Sequence, residues 1–367
     1  MTIDFDARLI TSLAFPGVGA LLDEPVVEKR GSGRHRALLM QGGELEVHDL
    51  DALLAGERAP ESVFRLPWPG WERGVHSVSP DGTFAVFSGQ RSVRAVNADG
   101  TTRWVYGHGC WDQEIGHPHT GDELQVCQGS EHGSCRVSDD GRLVWAHVVL
   151  AAGDEPGDYT EGWVVLDAED GRELARHALE ESVASGSWHL SHPDGVHMGL
   201  CVGMGQDGVL VYWGRWDGER LTVHDELNED LDRILFDVHP AHPGFLTVEH
   251  YGNDIQLHAL DGTVLAETEE PRWDHACGFL DGDTVLTTTE VEYAEDPEEY
   301  GTWLLDARTL ETRGRVRYPD GRTDSRVLPL GDGTWLTHDR AAGTVHRWKV
   351  QERTAEKKLP GETPSGR

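Results

Sequence analysis

The chain has 367 residues, 38 % of them apolar, and carries 32 Lys and Arg against 65 Asp and Glu, a formal net charge of −33. So acidic a surface repels phosphate backbones and anionic lipid, which excludes nucleic acid and membranes as partners and leaves cations and protein segments. No run of about 18 apolar residues could span a bilayer, Asp4 and Asp6 with no A-x-A site argue against a signal peptide, and five cysteines, an odd number, read as reduced thiols of a cytoplasmic protein.

In chain order, Asp6–Ala14 is a β-prone run. It is followed by a series of short β-prone segments that look alike: Glu44–Leu50, Ser92–Ala98, Gly162–Ala168, Val209–Asp217, Asp254–Leu260, Gly301–Ala307 and Gly343–Val350. Their centres lie near residues 47, 95, 165, 213, 257, 304 and 346, so five of the six steps fall between 42 and 48 and one is 70. A period of that size marks a repeat of four-stranded units. A strand–turn–strand pair precedes most of these segments, for instance His76–Gln90 (HSVSPDG, TFAVFSGQ) and His189–Val202 (HLSHPDG, VHMGLCV), and a shorter polar strand follows. The Asp-Gly corners supply the turns. After Val350 the sequence QERTAEKKLPGETPSGR is charged and rich in Pro and Gly, so residues 351–367 read as a disordered tail. The seventh unit therefore lacks its outer strand, and an open edge invites aggregation. Asp6–Ala14 is expected to fill it.

The pattern resembles the WD40-like β-propellers. Gly107-His108 is similar to the family's GH dipeptide and Trp216-Asp217 to its closing WD, with Asp49, Asp167 and Asp306 at the corresponding place in other units. The resemblance implies an all-β fold, a seven-bladed propeller of four-stranded antiparallel blades closed by an N-terminal strand, over residues 1–350. It also implies a scaffold that binds a protein or peptide partner, as a monomer.

The long step of 70 coincides with one dense stretch, His108–Cys135. It holds Cys110, His117, His119, Cys127, His132 and Cys135, side chains that ligate a transition metal such as zinc. An insertion is not needed to close a ring, so a metal-binding or metal-dependent catalytic site here is the alternative to a pure scaffold. The spacing matches no paired C-x2-C pattern, and Cys127 and Cys135 also read as small buried hydrophobes. Leu124–Gln128 and Ser134–Val137 could instead be strands of an eighth unit, although that would leave the third unit short of a strand.

Elsewhere, His76 and His189 hold equivalent places in the repeat, with His192 and His239 three residues further on. These imidazoles could converge at a channel mouth or cap the turns. Together with Trp111, Trp216, Trp273 and His275, His76 and His189 are candidates for a binding face. The acidic runs Asp225–Asp232 and Glu290–Glu299 follow no calcium-loop pattern and read as solvated loops. No G-x-S-x-G elbow, P-loop or dinucleotide fingerprint is present, and no cofactor beyond a possible metal is implied.

Overall fold

The computed structural model describes residues 3–14, 18–22, 26–30, 34–68, 73–111, 131–152, 159–179, 185–228, 232–250, 254–269, 271–289, 301–319 and 326–352. After an N-terminal strand β1 (Ile3–Ala14), the strands fall into seven groups. Blade 1 holds β2 (Val27–Glu28), β3 (Arg36–Gln41), β4 (Glu44–Asp49) and β5 (Ser62–Arg65). Blade 2 holds β6 (Ser77–Val78), β7 (Phe84–Ser88), β8 (Ser92–Asn97) and β9 (Thr102–Gly107). Blade 3 holds β10 (Cys135–Val137), β11 (Leu143–Ala152), β12 (Tyr159–Asp167) and β13 (Glu173–Leu179). Blade 4 holds β14 (Gly186–Ser191), β15 (His197–Gly203), β16 (Val209–Trp216) and β17 (Leu221–His224). Blade 5 holds β18 (Arg233–Val238), β19 (Phe245–Glu249), β20 (Ile255–His258) and β21 (Val264–Thr268). Blade 6 holds β22 (Trp273–Phe279), β23 (Thr284–Thr289), β24 (Thr302–Asp306) and β25 (Thr312–Arg317). Blade 7 holds β26 (Val327–Pro329), β27 (Thr334–Asp339) and β28 (Thr344–Glu352), and β1 is its fourth strand.

The seven repeated segments of the sequence are the third strands of the seven blades. The closing strand forms as expected: β1 runs antiparallel to β28 from Phe5↔Glu352 to Ala14↔Thr344. It does one thing more than expected. Its first residues pair in parallel with β25 from Ile3↔Gly314 to Asp6↔Arg317, so the backbone ladder passes from blade 6 into blade 7 without a break. The boundary expected after Val350 falls inside β28, which runs on to Glu352.

Within a blade, the first and second strands meet at a corner whose chemistry is local. In blades 2, 3 and 4 an Asp carboxylate accepts the N–H two residues on: Asp81 from Thr83 (3.1 Å), Asp140 from Arg142 (3.1 Å) and Asp194 from Val196 (2.9 Å). The next residue is Gly82, Gly141 or Gly195, at φ 72°, 75° and 75°, a region that favours glycine.

The core lies between blades rather than within them. Phe84, Val86 and Val93 of blade 2 pack on Val137, Val144 and Val164 of blade 3, and Trp145, Trp163 and Val165 of blade 3 on Met198, Leu200 and Tyr212 of blade 4. A short helix α1 (Leu50–Leu54), capped by Asp49 accepting the Ala52 N–H at 2.9 Å, buries Leu50, Leu53 and Leu54 against Leu13 of β1. No helix among the described residues is long and apolar enough to cross a membrane.

Candidate functional site

Charged side chains occupy the inner strands and the residues that flank them, where an apolar core would be expected. Glu28 ends β2 and is 1 % exposed. Its carboxylate lies 2.8 Å from Arg30 and 3.1 Å from Arg136 of β10, and accepts the Ser77 hydroxyl of β6 at 2.7 Å. One buried carboxylate thus joins blades 1, 2 and 3. Burial pushes the Glu28 carboxyl up, but Arg136, Arg30 and Ser77 outweigh it and hold it below the usual carboxylate range. Arg136 also donates to the Lys29 carbonyl (3.1 Å) and to the Ser191 hydroxyl of blade 4 (3.2 Å). Lys29 donates to Asp237 of blade 5 at 2.6 Å, tying two blades that are far apart in the ring. Asp237 in turn accepts the Phe279 N–H of blade 6 at 2.8 Å.

These groups surround a cleft of about 60 Å³ at the mouth of the channel on the side of the first-to-second-strand corners. Blade 1 contributes Lys29, Arg30 and His35, blade 3 Arg136, blade 4 His189 to Ser191 and Pro193, blade 5 Asp237 and Pro240, blade 6 Phe279 and blade 7 Leu330 and Gly331. Two lining side chains keep buried nitrogens with no hydrogen-bond acceptor among the described residues: Nε and Nη1 of Arg30, the latter 3.5 Å from Asp139, and both ring nitrogens of His35. Arg30 is 7 % exposed and His35 9 %. Burial lowers the His35 pKa, so the imidazole is neutral and offers one donor and one acceptor.

A second polar system runs behind the cleft wall. The Trp163 indole N–H donates to Nε2 of His189 at 2.9 Å, so Nδ1 of His189 carries the proton and donates to Ser134 Oγ at 2.8 Å. Ser134 and Ser187 Oγ are 2.7 Å apart, Ser187 Oγ is 2.9 Å from His147 Nδ1, and His147 Nε2 is 2.9 Å from Glu161. All donors point one way, from Trp163 through His189, Ser134, Ser187 and His147 to Glu161, and each hydroxyl both accepts and donates. Burial holds the His189 imidazole neutral. Ser187, His147 and Glu161 are in the order of a nucleophilic triad, but they are 3 %, 0 % and 1 % exposed. A substrate cannot reach the hydroxyl, and the relay is a seam between blades 3 and 4.

Of the six residues expected as metal ligands, three, Cys110, His132 and Cys135, are among the described residues, and these three do not form a ligand group. Cys135 lies in β10 rather than in the insertion. Its thiol donates to the carbonyls of Val75 (3.4 Å) and Val86 (3.3 Å), and burial together with the Glu28 charge raises its pKa. A protonated core thiol is not a ligand. Cys110 is half-buried, with Gln90 Nε2 3.4 Å from its sulfur. His132 is half-buried over Gly186, where a Cβ would come within 2.8 Å of its ring. His117, His119 and Cys127 lie outside the described residues, as does Leu124–Gln128 of the eighth-blade alternative. Ser134–Val137 contains β10, the inner strand of blade 3.

Five of the six expected binding-face residues are buried and present no surface. Trp111 and Trp273 are 0 % exposed, His189 1 %, His76 8 % and Trp216 8 %, whereas His275 is exposed. Large aromatics near strand ends fill the gaps between blades instead: Trp111 packs edge-on against His147 with ring centres 5.1 Å apart. His76 accepts the Ser88 N–H at 3.3 Å, and burial and then the charge of His132 lower its pKa to about 4. The turn-capping role expected for the corner histidines is found at His192, whose Nδ1 accepts the Asp194 N–H at 3.2 Å, and at His239, whose Nδ1 accepts the Ala241 and His242 N–H groups at 3.0 and 2.7 Å. The cleft residues Lys29, Arg30, Arg136 and Asp237 were not singled out from the sequence. The signal for them was a charge inside a predicted inner strand, as in CRVSDDG and FDVHP.

No family model and no curated protein matches this sequence. Among solved structures, the chain is similar to the β-propeller domain of Cps50 (Swd1) from Myceliophteria thermophila, at 10 % identity and a TM-score of 0.52, over 94 % of this chain and 100 % of that one. It also aligns with BamB from Moraxella catarrhalis (11 % identity, TM-score 0.39, 94 % and 99 % covered) and with a eukaryotic initiation factor (9 %, 0.43, 89 % and 87 %). At these identities the likeness shows the fold alone.

Proposed function

We propose that this WD40-like β-propeller is an interaction scaffold that takes a hydrogen-bond acceptor of a protein or peptide partner, a carbonyl or a carboxylate, into the cleft at the corner-side mouth of its channel. The observation that carries the reading is the pair Arg30 and His35 of blade 1, which line the cleft with buried nitrogens that have no hydrogen-bond partner among the described residues. Leaving buried donors unmatched costs about 1–3 kcal/mol each, a cost that a partner's acceptor would remove. The propeller neighbour supports a binding role, and the triad-like Ser187, His147 and Glu161 are too buried for chemistry. Selection of a displayed random-peptide library on the full chain is expected to converge on a sequence whose affinity falls by about tenfold or more, roughly 1.4 kcal/mol, in a His35→Phe variant that fills the cleft. Failure to converge, or peptides that bind both proteins equally, would refute the assignment of the cleft.

A further inference from the structure

The corners of blades 2, 3 and 4 are three versions of one turn, and the fourth blade's version differs in chemistry. Blade 2 places Ser79 before the turn and Phe84 after it, and blade 3 places Ser138 and Leu143 there; in each the hydroxyl donates to the turn's carboxylate, at 2.7 Å to Asp81 and 2.6 Å to Asp140. Blade 4 has His192 and His197 at these two places, around Asp194. Oδ2 of Asp194 is 3.0 Å from Nδ1 of His192 and 2.7 Å from Nδ1 of His197, and the three potential ligand atoms lie within 4.8 Å of one another.

Two features bear on what this corner can hold. First, both imidazoles turn Nδ1 to one carboxylate oxygen; Nδ1 of His192 also accepts the Asp194 backbone N–H at 3.2 Å, the contact that His239 makes in blade 5, and an ion would take that lone pair in place of the N–H. Oδ2, facing the two Nδ1 atoms at 3.0 and 2.7 Å, is satisfied in each contact by a proton or by a shared cation. Second, the three side chains are held from behind. Oδ1 of Asp194 is occupied by the N–H groups of Val196 (2.9 Å) and His197 (3.0 Å), so Oδ2 is the oxygen turned to the two imidazoles. The fully buried Trp213 stacks on His197 (6.1 Å between ring centres, 16°) and meets His192 edge-on (6.4 Å, 86°). Such outer support is what orients metal ligands.

We infer that His192, Asp194 and His197 bind one divalent first-row transition metal ion of the zinc class, through the Nδ1 atoms and Oδ2. Two imidazoles and one carboxylate on one side of an ion are a common donor set for such metals, with the remaining positions open. Ligand bonds of about 2.0–2.1 Å in a tetrahedron put ligand atoms ~3.3 Å apart. The two edges, 3.0 and 2.7 Å, are about 0.3 and 0.6 Å short of that, a shift that side-chain rotation supplies. Side-chain exposures of 34 % for Asp194 and 11 % for His197 leave solvent access on the outer side. Pro193, between the ligands, lines the cleft, so the ion sits at its rim. This site stands apart from the peptide-binding reading, and either can fail without the other.

The test uses the full chain without an affinity tag, freed of metal by chelator. Zinc titrated by calorimetry is expected to show one tight ion per chain, and cobalt(II) in its place a visible absorption of low-symmetry N/O coordination. The double variant His192→Ser, His197→Leu rebuilds the blade 3 corner, which this fold already accommodates, and is expected to keep the native circular dichroism and melting temperature. It should lose the tight zinc site, by at least about tenfold in affinity, together with the cobalt spectrum. Zinc binding and cobalt absorption identical in wild type and double variant would assign the ion to other histidines and cysteines and overturn the inference. So would a wild-type chain that binds no zinc.

Discussion

Two joints of this ring hold by different means. Between blades 6 and 7 the joint is backbone: β1 pairs with β25 on one side and β28 on the other. Between blades 3 and 4 it is side chain: Trp163, His189, Ser134, Ser187, His147 and Glu161 in one directed relay. A backbone joint needs only the right length, alternation and register, because every residue carries the same donor and acceptor. A side-chain joint needs each residue's identity, and a single wrong one leaves a buried polar group unmatched. The first tolerates substitution and fails only when the strand is removed. The second fails at a point.

Experiments can press on that difference, starting with the largest effect. Removing residues 1–14 takes away both ladders at once and exposes the edges of β25 and β28, so the shortened chain is expected to be unfolded or aggregated by circular dichroism and light scattering. A truncated chain that stays monomeric with an unchanged melting temperature would show that the backbone joint is dispensable. Glu28→Gln, at the charged hub, leaves Arg30 and Arg136 buried without their counter-charge and should lower stability by about 3–5 kcal/mol in urea unfolding at neutral pH. Because the native Glu28 pKa is lowered from the ordinary 4.5, its contribution is complete above pH 4.5 and is lost as the pH falls through the lower native value. The gap between wild type and variant should therefore narrow only in acid. A gap that is constant down to pH 3 would mean that the carboxylate is not the charged partner. Smallest of the three, Trp163→Phe keeps the ring but deletes the N–H at the head of the relay, leaving Nε2 of His189 without a donor. A loss of about 1–3 kcal/mol is expected. A conservative change on the exposed side of β1, such as Leu9→Val, should by comparison cost within about 0.5 kcal/mol. Equal losses at both joints would erase the distinction.

The parts of this molecule that could be read in the sequence are those set by local rules. Alternation with period two and Asp-Gly corners marked the strands, the spacing of Glu44–Leu50 and its six successors gave the repeat with seven blades or, across the long step, eight, and the unfilled edge after the last repeat pointed to Asp6–Ala14. The residues of the candidate site followed other rules. The parallel pairing of Ile3–Asp6 with β25 could not be foreseen, because nothing local distinguishes a strand with one partner from a strand with two. Trp111 and Trp273 looked like a surface because they flank predicted strand ends, yet the space between twisted blades is deep enough at those ends to bury an indole. Cys135 looked like part of an insertion and is the first residue of a core strand.

The sequence by itself determined the repeat and the means of closure, and left the blade number between seven and eight, since strand periodicity and turn chemistry depend on neighbours a few residues apart. Only the tertiary structure decided which polar groups meet: Lys29 with Asp237, Glu28 with Arg136, Ser134 with Ser187, and two histidines with Asp194. Most of those meetings join residues from separate blades. They exist because ring closure brings seven inner strands to one axis, where a charge must find its partner across the channel or remain unpaired.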